Sequence, residues 1–198
     1  MNKVIFEPVE HKYFDENGKD FPSVTTLLKH FGMSPDFAKW GNDASRNFGS
    51  AVHRVLELFD NRVLDQFNYD TKIEPYLDAY KRFLDEFKPV WEFVEVPMLS
   101  KVWGFAGCSD RIGIMKGKNV ILDFKTGSPD ASHELQTAGY QVLVEENSAL
   151  KIKERYSLYL KADDFRLSPP HVNRSDRSIM IGLSQAYQFK TKHKLIRS

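Results

Sequence analysis

Two apolar runs, residues 104–115 and 119–126, are joined by a short polar segment and constrain the fold more than any other feature of the chain. Apolar runs on either side of a turn predict an antiparallel hairpin. Both runs nevertheless carry charge, with Asp110 in the first and Asp123 and Lys125 in the second. A strand pair that enters a protein core needs a reason to carry two acids and an amine.

The expected register of this hairpin brings the two acids together. Side chains alternate along a strand, so Asp123 and Lys125 lie on one face and the apolar residues between and before them lie on the other. If the turn is even-numbered and centred between Lys116 and Gly117, Asp110 lies directly opposite Asp123. A three-residue turn would shift this pairing by one residue. Like charges that face each other in this way are destabilising.

The repulsion between the paired carboxylates must therefore be offset. Lys125 can neutralise one of them, and the other requires a cation or a raised pKa. Oxygen ligands at this spacing suit Mg²⁺ or Mn²⁺, which predicts a divalent metal site on the hairpin. The alternative is an exposed hairpin with ordinary surface charges, because an isolated D-x-K tripeptide is common. The apolar surroundings and the second acid in register favour the metal site.

The remaining periodicities predict the order of the other elements. Helices are expected over residues 23–29, 48–59, 74–88, about 129–146 and about 175–190, and strands over 91–101, 104–115, 119–126, 155–163 and 165–167. Ser23 is the expected cap of the first helix and Gly32 its end, and Pro89 stops the third helix. The sequence DENG at residues 15–18 predicts a turn. Ser128 is the expected cap of the fourth helix, with Pro129 at its first position. This order predicts an α/β fold, in which a mixed central sheet with an αβββαβ core is flanked by helices.

Length and composition predict a single domain. With 198 residues, 41% of them apolar, the chain can bury one sizeable core. We expect an N-terminal extension over residues 1–44, the core over 45–161, and a C-terminal strand and helix with a basic tail over 162–198. The tail carries Lys190, Lys192, Lys194 and Arg197. It is either a DNA-binding segment or a solvated end, and we favour the former because phosphate contacts dominate nucleic-acid affinity.

Cysteine usage and the N-terminal sequence exclude several classes. The chain has one cysteine, Cys108, which cannot form a disulfide framework, a cysteine-based zinc site or an iron–sulfur cluster. The first ten residues lack the apolar region of a signal peptide, and no apolar stretch is long enough to span a membrane. We therefore expect a cytoplasmic protein without a membrane partner.

Other residues could complete a site on the hairpin. Gly49 and His53 lie one helical turn apart, so the imidazole could reach a metal while the glycine lets a phosphate backbone approach. The alternative is a half-buried histidine with a structural hydrogen bond. Gln136 and Tyr140 share a helix face close to the end of the second hairpin strand. Glu95, on the preceding strand, could add a carboxylate, although a glutamate on an edge strand is usually solvated.

Four short motifs occur in a characteristic order: GSAVH at 49–53, GCSD at 107–110, DFK at 123–125 and QTAGY at 136–140. Together they resemble the GxxxH, GxxD, DxK and QxxxY elements of the PD-(D/E)XK nuclease superfamily, in its RecB-like exonuclease branch. The matched span covers about half of the chain, and the αβββαβ order is also that superfamily's core. Residues 11–32 are similar to the N-terminal stretch of small phage-type members.

This resemblance implies cleavage of DNA with Mg²⁺ or Mn²⁺. It implies His53, Asp110 and Asp123 as metal ligands, with the Phe124 carbonyl as a further ligand. Lys125 would orient or activate the attacking water. By the same resemblance, Asp110, Asp123, Lys125 and Gln136 form the catalytic set. Ser109 stands where many members have proline, and the cysteines that flank the motifs in iron–sulfur members are absent.

The resemblance also implies candidate DNA contacts, a substrate class and a cellular setting. Gly49, Trp40, Arg46 and Tyr140 are the candidate DNA contacts, since aromatic rings can stack on unpaired bases. We expect an exonuclease acting on single-stranded DNA or duplex ends, in recombination, repair or degradation, in a bacterial or phage-infected cytoplasm and with a possible recombination or helicase partner. The alternatives are a structure-specific endonuclease for flaps or junctions, and an inactive nucleic-acid-binding module on a nuclease scaffold.

Overall fold

The N-terminal part of the chain forms a small antiparallel sheet. The computed structural model describes residues 3–8, 10–34 and 43–195. The sheet consists of β1 (Ile5–Glu7), β2 (Lys12–Phe14) and β3 (Asp20–Phe21). Asp15 holds the turn between β2 and β3, because its Oδ1 accepts the backbone N–H groups of Asn17 and Lys19. The turn expected from the sequence DENG is therefore present.

Within the described residues, three helices precede the central sheet. They are α1 (Val24–His30), α2 (Asp43–Asp60) and α3 (Glu74–Phe87), with short 3₁₀ turns at Leu64–Gln66 and Thr71–Ile73. Ser23 caps α1 by accepting the Thr26 N–H at 3.0 Å, and Gly32 follows the helix with a φ of +64°. α3 ends at a left-handed Lys88, whose φ is +46°, immediately before Pro89. Both ends agree with the predicted helix signals.

The central sheet has five strands in one continuous order. They are β4 (Val90–Ser100), β5 (Phe105–Met115), β6 (Lys118–Lys125), β7 (Glu154–Lys161) and β8 (Asp164–Leu167). β4, β5 and β6 are antiparallel neighbours, β6 and β7 run parallel, and β8 returns antiparallel to β7. The predicted mixed sheet with an αβββαβ core is confirmed.

The crossover between the parallel strands is α4 (Ser132–Asn147), and the last helix is α5 (Ser175–Lys192). The predicted start of α4 at Pro129, with Ser128 as its cap, is wrong. The first turn begins three residues later, where the Ser132 N–H donates to Asp130 Oδ1 at 2.8 Å. A proline fits the first helical position but does not require it, and here the carboxylate of Asp130 satisfies the free amide instead.

Both faces of the sheet are buried, as expected for strands with helices on either side. On one face α2 and α3 cover Val120, Leu122 and Phe124, and on the other α1, α4 and α5 cover Ile112 and Ile121. The predicted alternation along β6 is therefore confirmed. Within the three described ranges, we find no helix whose length and apolar content would suffice to cross a bilayer.

Candidate active site

The hairpin of β5 and β6 has the register that brings its acids together. Arg111 pairs with Leu122, Ile112 with Ile121 and Met115 with Lys118, so the turn is even-numbered and Asp110 lies opposite Asp123. The two carboxylates are 6% and 1% exposed. Asp110 Oδ2 accepts the Phe124 N–H at 2.5 Å, which ties the acid of one strand to the backbone of the other. The predicted pairing of the acids is confirmed.

Lys125 is held between the acid and the crossover helix. Its Nζ lies 2.5 Å from Asp123 Oδ2 and donates to Gln136 Oε1 at 2.9 Å. The Gln136 amide in turn donates to the Tyr140 hydroxyl at 2.8 Å and approaches Asp123 Oδ1 at 3.4 Å. One amide therefore fixes the position of the amine relative to the carboxylate. Tyr140, a candidate DNA contact from the sequence, is only 5% exposed. Its hydroxyl therefore supports Gln136 from within the protein and is not presented to a DNA strand at the surface.

A second group of ligands lies on the other side of Asp110. One ligand atom from each of His53, Glu95 and Asp110 can be chosen so that all three lie within 4.8 Å of one another. His53 Nδ1 is 3.5 Å from Asp110 Oδ1, and its side chain is 30% exposed. Asp110 is thus shared, because one oxygen faces the histidine and the other faces β6. This places the carboxylate between two sets of polar groups.

Glu95 enters the site through an unusual backbone conformation. It lies in the middle of β4, between the pairs Val94–Arg111 and Val96–Ser109, yet its φ is +51°. A left-handed backbone costs a residue with a Cβ roughly 1–2 kcal/mol. Glu95 accepts from the Arg111 guanidinium at 3.3 Å, so its carboxylate is held at the site rather than solvated. The expectation that this edge-strand glutamate is solvated is wrong.

Arg111 supports the site from beneath. This side chain is fully buried, and its Nε donates to Asp60 Oδ2 at 2.6 Å, while its Nη1 donates to the Asp110 carbonyl at 2.6 Å. Asp60 also accepts the Tyr80 hydroxyl at 2.7 Å. The guanidinium lies over the Phe124 ring, 4.8 Å from its centroid. The network connects the end of α2 to the strand that carries Asp110.

The protonation of the two acids diverges because their surroundings differ. Burial raises the pKa of Asp123 to about 6, and the nearby Asp110 adds to this while Lys125 opposes it. Burial acts in the same direction on Asp110, but His53, Lys125 and the Phe124 N–H outweigh it and lower its pKa. Burial also raises the pKa of Glu95 to about 8, assisted by Asp110. A cation placed among these groups would stabilise the ionised carboxylates and so lower the pKa values that burial and repulsion raise.

A pocket of about 1160 Å³ lies next to these groups. Its walls include His53, Glu95 and Lys125, together with two of the candidate DNA contacts, Arg46 and Gly49. A Cβ at Gly49 would lie 3.0 Å from Thr126 Oγ1, so a larger residue would narrow the pocket. Another candidate DNA contact, Trp40, and the tail residue Arg197 lie outside the described residues.

The donor set fits a divalent cation. Asp123 Oδ2 is buried and makes no hydrogen bond to a described residue, although Lys125 lies within ion-pair distance. An imidazole and carboxylates are ligands that Mn²⁺ accepts, and the carboxylates suit Mg²⁺. His53, Glu95, Asp110 and Asp123 are therefore the side chains that could hold the ion.

Comparison with known proteins agrees with this geometry. A family model described as "PD-(D/E)XK nuclease superfamily" matches residues 70–193, which is more than half of the chain. The chain belongs to the PD-(D/E)XK nuclease superfamily. The match includes Glu95, the two acids, Lys125 and Gln136, whereas His53 lies before it. The comparison with curated proteins gave no match.

Solved structures of similar fold carry exonuclease descriptions. A presumed exonuclease from Eubacterium rectale superposes with a TM-score of 0.51 at 14% identity, covering 87% of this chain and 74% of that one. The alkaline exonuclease LHK-Exo from Laribacter hongkongensis, in complex with dAMP, gives a TM-score of 0.49 at 11% identity, covering 88% and 89%. At these identities, the first likeness shows that the two chains share this superfamily's fold.

From the sequence, Glu95 was given too little weight and the network around Arg111 was not identified. Glu95 could have been placed by applying the hairpin argument a second time, because an even-numbered turn centred between Val102 and Trp103 sets it opposite Asp110. No pattern of neighbouring residues in the sequence predicts the hydrogen-bond network of Arg111 with Asp60 and Tyr80. It joins residues far apart in the chain, and only the packing of α2 against the sheet brings them together.

Proposed function

We propose that this chain is a metal-dependent deoxyribonuclease that acts as an exonuclease on single-stranded DNA or duplex ends. The observation that carries the proposal is the arrangement of Asp110, Asp123 and Lys125 on one hairpin, next to a pocket whose walls include Lys125, His53 and Glu95. The family supports hydrolysis of phosphodiester bonds. The exonuclease description of the Eubacterium rectale structure belongs to that protein and suggests the mode of action.

The residues would divide the chemistry between them. His53, Asp110, Asp123 and Glu95 would hold Mg²⁺ or Mn²⁺, with the Phe124 carbonyl as a further ligand. When bound, such an ion lowers the pKa of water and stabilises charge on phosphoryl oxygens. Lys125 would orient the attacking water and balance the charge that develops on the phosphate. Gln136 would hold Lys125 in place, and Arg46 and Gly49 would contact the DNA backbone at the pocket wall.

The wider role follows as part of the same proposal. We place the activity in DNA recombination, repair or degradation, in a bacterial or phage-infected cell, with a recombination protein or helicase as a possible partner. The basic residues in the last turn of α5 and just after it would add phosphate contacts. Lys190 already has a structural contact, because its Nζ lies 2.8 Å from His30 Nε2 and over the Phe31 ring. Lys192 and Lys194 are therefore the better candidates among the described tail residues.

An end-labelled assay tests the proposal. Linear and circular single-stranded DNA are incubated with the protein in Mg²⁺, in Mn²⁺ and in EDTA, beside Lys125→Ala and the matched surface control Lys72→Ala. We expect linear strands to be degraded only with metal, circles to survive, and Lys125→Ala to lose nearly all activity. Equal cleavage of circles would instead establish an endonuclease. If the wild-type protein and Lys125→Ala are equally inert with both metals, the result favours the alternative of an inactive nucleic-acid-binding module.

A further inference from the structure

Two aromatic side chains outside the catalytic set line the large pocket. Phe48 on α2 and Tyr76 on α3 belong to the same walls as Lys125. Tyr76 lies one helical turn before Tyr80, which is fully buried, whereas Tyr76 and Phe48 are each half-buried and pack on the edge of the core. The two rings therefore lie where the hydrophobic core meets the pocket.

The rings of Phe48 and Tyr76 contact each other and form one apolar surface. Their centroids are 5.2 Å apart with an interplanar angle of 70°, an edge-to-face arrangement that fixes each ring against the other. Tyr80 satisfies its hydroxyl inside the protein by donating to Asp60. Among the described residues, the Tyr76 hydroxyl has no hydrogen-bond partner and is not one of the buried unpaired atoms, so it reaches solvent. Tyr76 is thus directed towards the pocket and not only into the core.

The size and lining of the pocket suit part of a polymer that carries flat apolar groups. Its volume of about 1160 Å³ exceeds the roughly 300–1,000 Å³ of typical small-molecule sites. Phe6, from β1, adds a third aromatic ring to the walls. Unpaired nucleobases stack on aromatic side chains whatever their sequence, because every base has a π-face. In a duplex these faces are already covered by neighbouring bases.

The charges of the pocket walls admit an anionic backbone beside these rings. The ionised wall residues are Arg46, Arg54, Lys125, Glu57 and Glu95. Glu57 accepts from Arg54 at 2.6 Å, and Glu95 accepts from the buried Arg111 at 3.3 Å, so each acid has a cation beside it. Three cations against two acids leave the walls weakly positive even with His53 neutral. A divalent ion held by the hairpin acids would add to this charge.

We propose that Phe48 and Tyr76 form a stacking platform for unpaired bases of the strand whose phosphate lies at the catalytic residues. The inference rests on the proposed function, because it assumes that a phosphodiester enters this pocket. Tyr76 supplies the ring that contacts a base, and Phe48 supports that ring from α2. The platform therefore favours a strand that is unpaired where it passes the pocket.

A comparison of normal and abasic strands tests the platform. Fluorescence anisotropy measures binding of an oligothymidylate of roughly 12 nucleotides, within typical single-strand site sizes, and of an abasic strand of equal length. Binding is measured with Mg²⁺ in the Lys125→Ala protein, to avoid cleavage, and again in EDTA with the wild-type protein as parent. We expect Tyr76→Leu to weaken oligothymidylate binding about 5- to 150-fold, since one stacking contact is lost, and to change abasic-strand binding little.

Matched variants separate stacking from other effects. Tyr76→Phe should bind as its parent does, because the ring is kept, and Phe48→Leu should weaken oligothymidylate binding less than Tyr76→Leu. The slope of log affinity against log salt should stay unchanged in all of them, because no phosphate contact is removed. Tyr69→Leu is the control: Tyr69 is half-buried on the same core but lines a different cavity, so this variant should match its parent.

The outcomes distinguish this inference from the proposed function. If Tyr76→Leu binds both strands as its parent does, or loses affinity equally for both, the platform does not exist. A loss in Tyr76→Phe as large as in Tyr76→Leu would also overturn the inference, because the hydroxyl and not the ring would then be responsible. If wild type degrades no DNA but Tyr76→Leu shows the base-dependent loss, the platform is supported and the proposed nuclease activity fails. If neither parent binds a strand, both fail.

Discussion

The amide of Gln136 offers a graded test of how Lys125 is held. Gln136→Met removes the acceptor of the 2.9 Å hydrogen bond from Lys125 while keeping a side chain of similar length. Tyr140→Phe removes only the hydroxyl that accepts from the Gln136 amide at 2.8 Å. If Tyr140 acts through Gln136, the second substitution should have a smaller effect, and none where Gln136 is already replaced.

The expected magnitudes follow from the types of hydrogen bond. A hydrogen bond to a charged group contributes about 1.5–3 kcal/mol, and a neutral one about 0.5–1.5 kcal/mol. Because about 1.4 kcal/mol corresponds to a tenfold change in rate, Gln136→Met should lower kcat roughly 10- to 150-fold and Tyr140→Phe roughly 2- to 10-fold. Both residues lie behind the pocket wall formed by Lys125, so KM should change little.

Single-turnover cleavage of a linear strand in Mg²⁺ measures these effects, and urea unfolding of each variant separates them from loss of folded protein. The double variant should be no slower than Gln136→Met alone. The reasoning is refuted if Tyr140→Phe costs more than Gln136→Met, or if the two losses multiply in the double variant. In either case Tyr140 would act on the site by a route that does not pass through Gln136.

Three further predictions test the scaffold. Arg111→Met should destabilise the protein by about 3–5 kcal/mol in urea unfolding, because it leaves Asp60 buried without its cation, and adding Asp60→Asn should recover part of the loss. Burial lowers the pKa of His133 to about 4. The contribution of the neutral His133 to the free energy of unfolding should therefore be fully present above pH 6.5 and decrease towards pH 4, by at most about 3 kcal/mol. His133→Gln should reduce this pH dependence in thermal unfolding. Gly113→Ala should be far more destabilising than Gly117→Ala in the same unfolding assay: a Cβ at the first would lie 2.1 Å from a backbone oxygen of β4, while the second meets nothing within 4 Å and costs only its left-handed φ, about 1–2 kcal/mol. Equal losses at the two glycines would contradict the close approach of β4 to Gly113.

Much of the fold was accessible from the sequence because the relevant signals are local. Alternation along β6, an even-numbered turn at Lys116 and Gly117, and the break at Pro89 each depend on a few neighbouring residues. The pairing of Asp110 with Asp123 follows from that turn alone. The predicted division into extension, core and tail stays a prediction, since a boundary depends on how segments behave when separated.

The remainder depends on contacts between distant segments. An even-numbered turn at residues 102–103 sets Glu95 opposite Asp110, but its left-handed backbone in mid-strand is a conformation that nothing in its neighbouring residues requires. α4 begins at Ser132, where the Asp130 carboxylate accepts the backbone N–H of Ser132. Pro129, by contrast, favours a start three residues earlier. The Arg111–Asp60 pair joins residues 51 positions apart. Such contacts are decided by tertiary packing, which outweighs local preference.

The parallel pairing of β6 with β7 has a consequence for the life of the chain. Parallel strands cannot pair until the helix between them has crossed over the sheet, so β7 joins late relative to the hairpin. Gln136, which positions Lys125, is carried by that same helix. A newly made or partly opened molecule thus holds its acids and its amine without their common tether. In the proposed nuclease, the catalytic arrangement is therefore complete only once this helix has packed on the sheet.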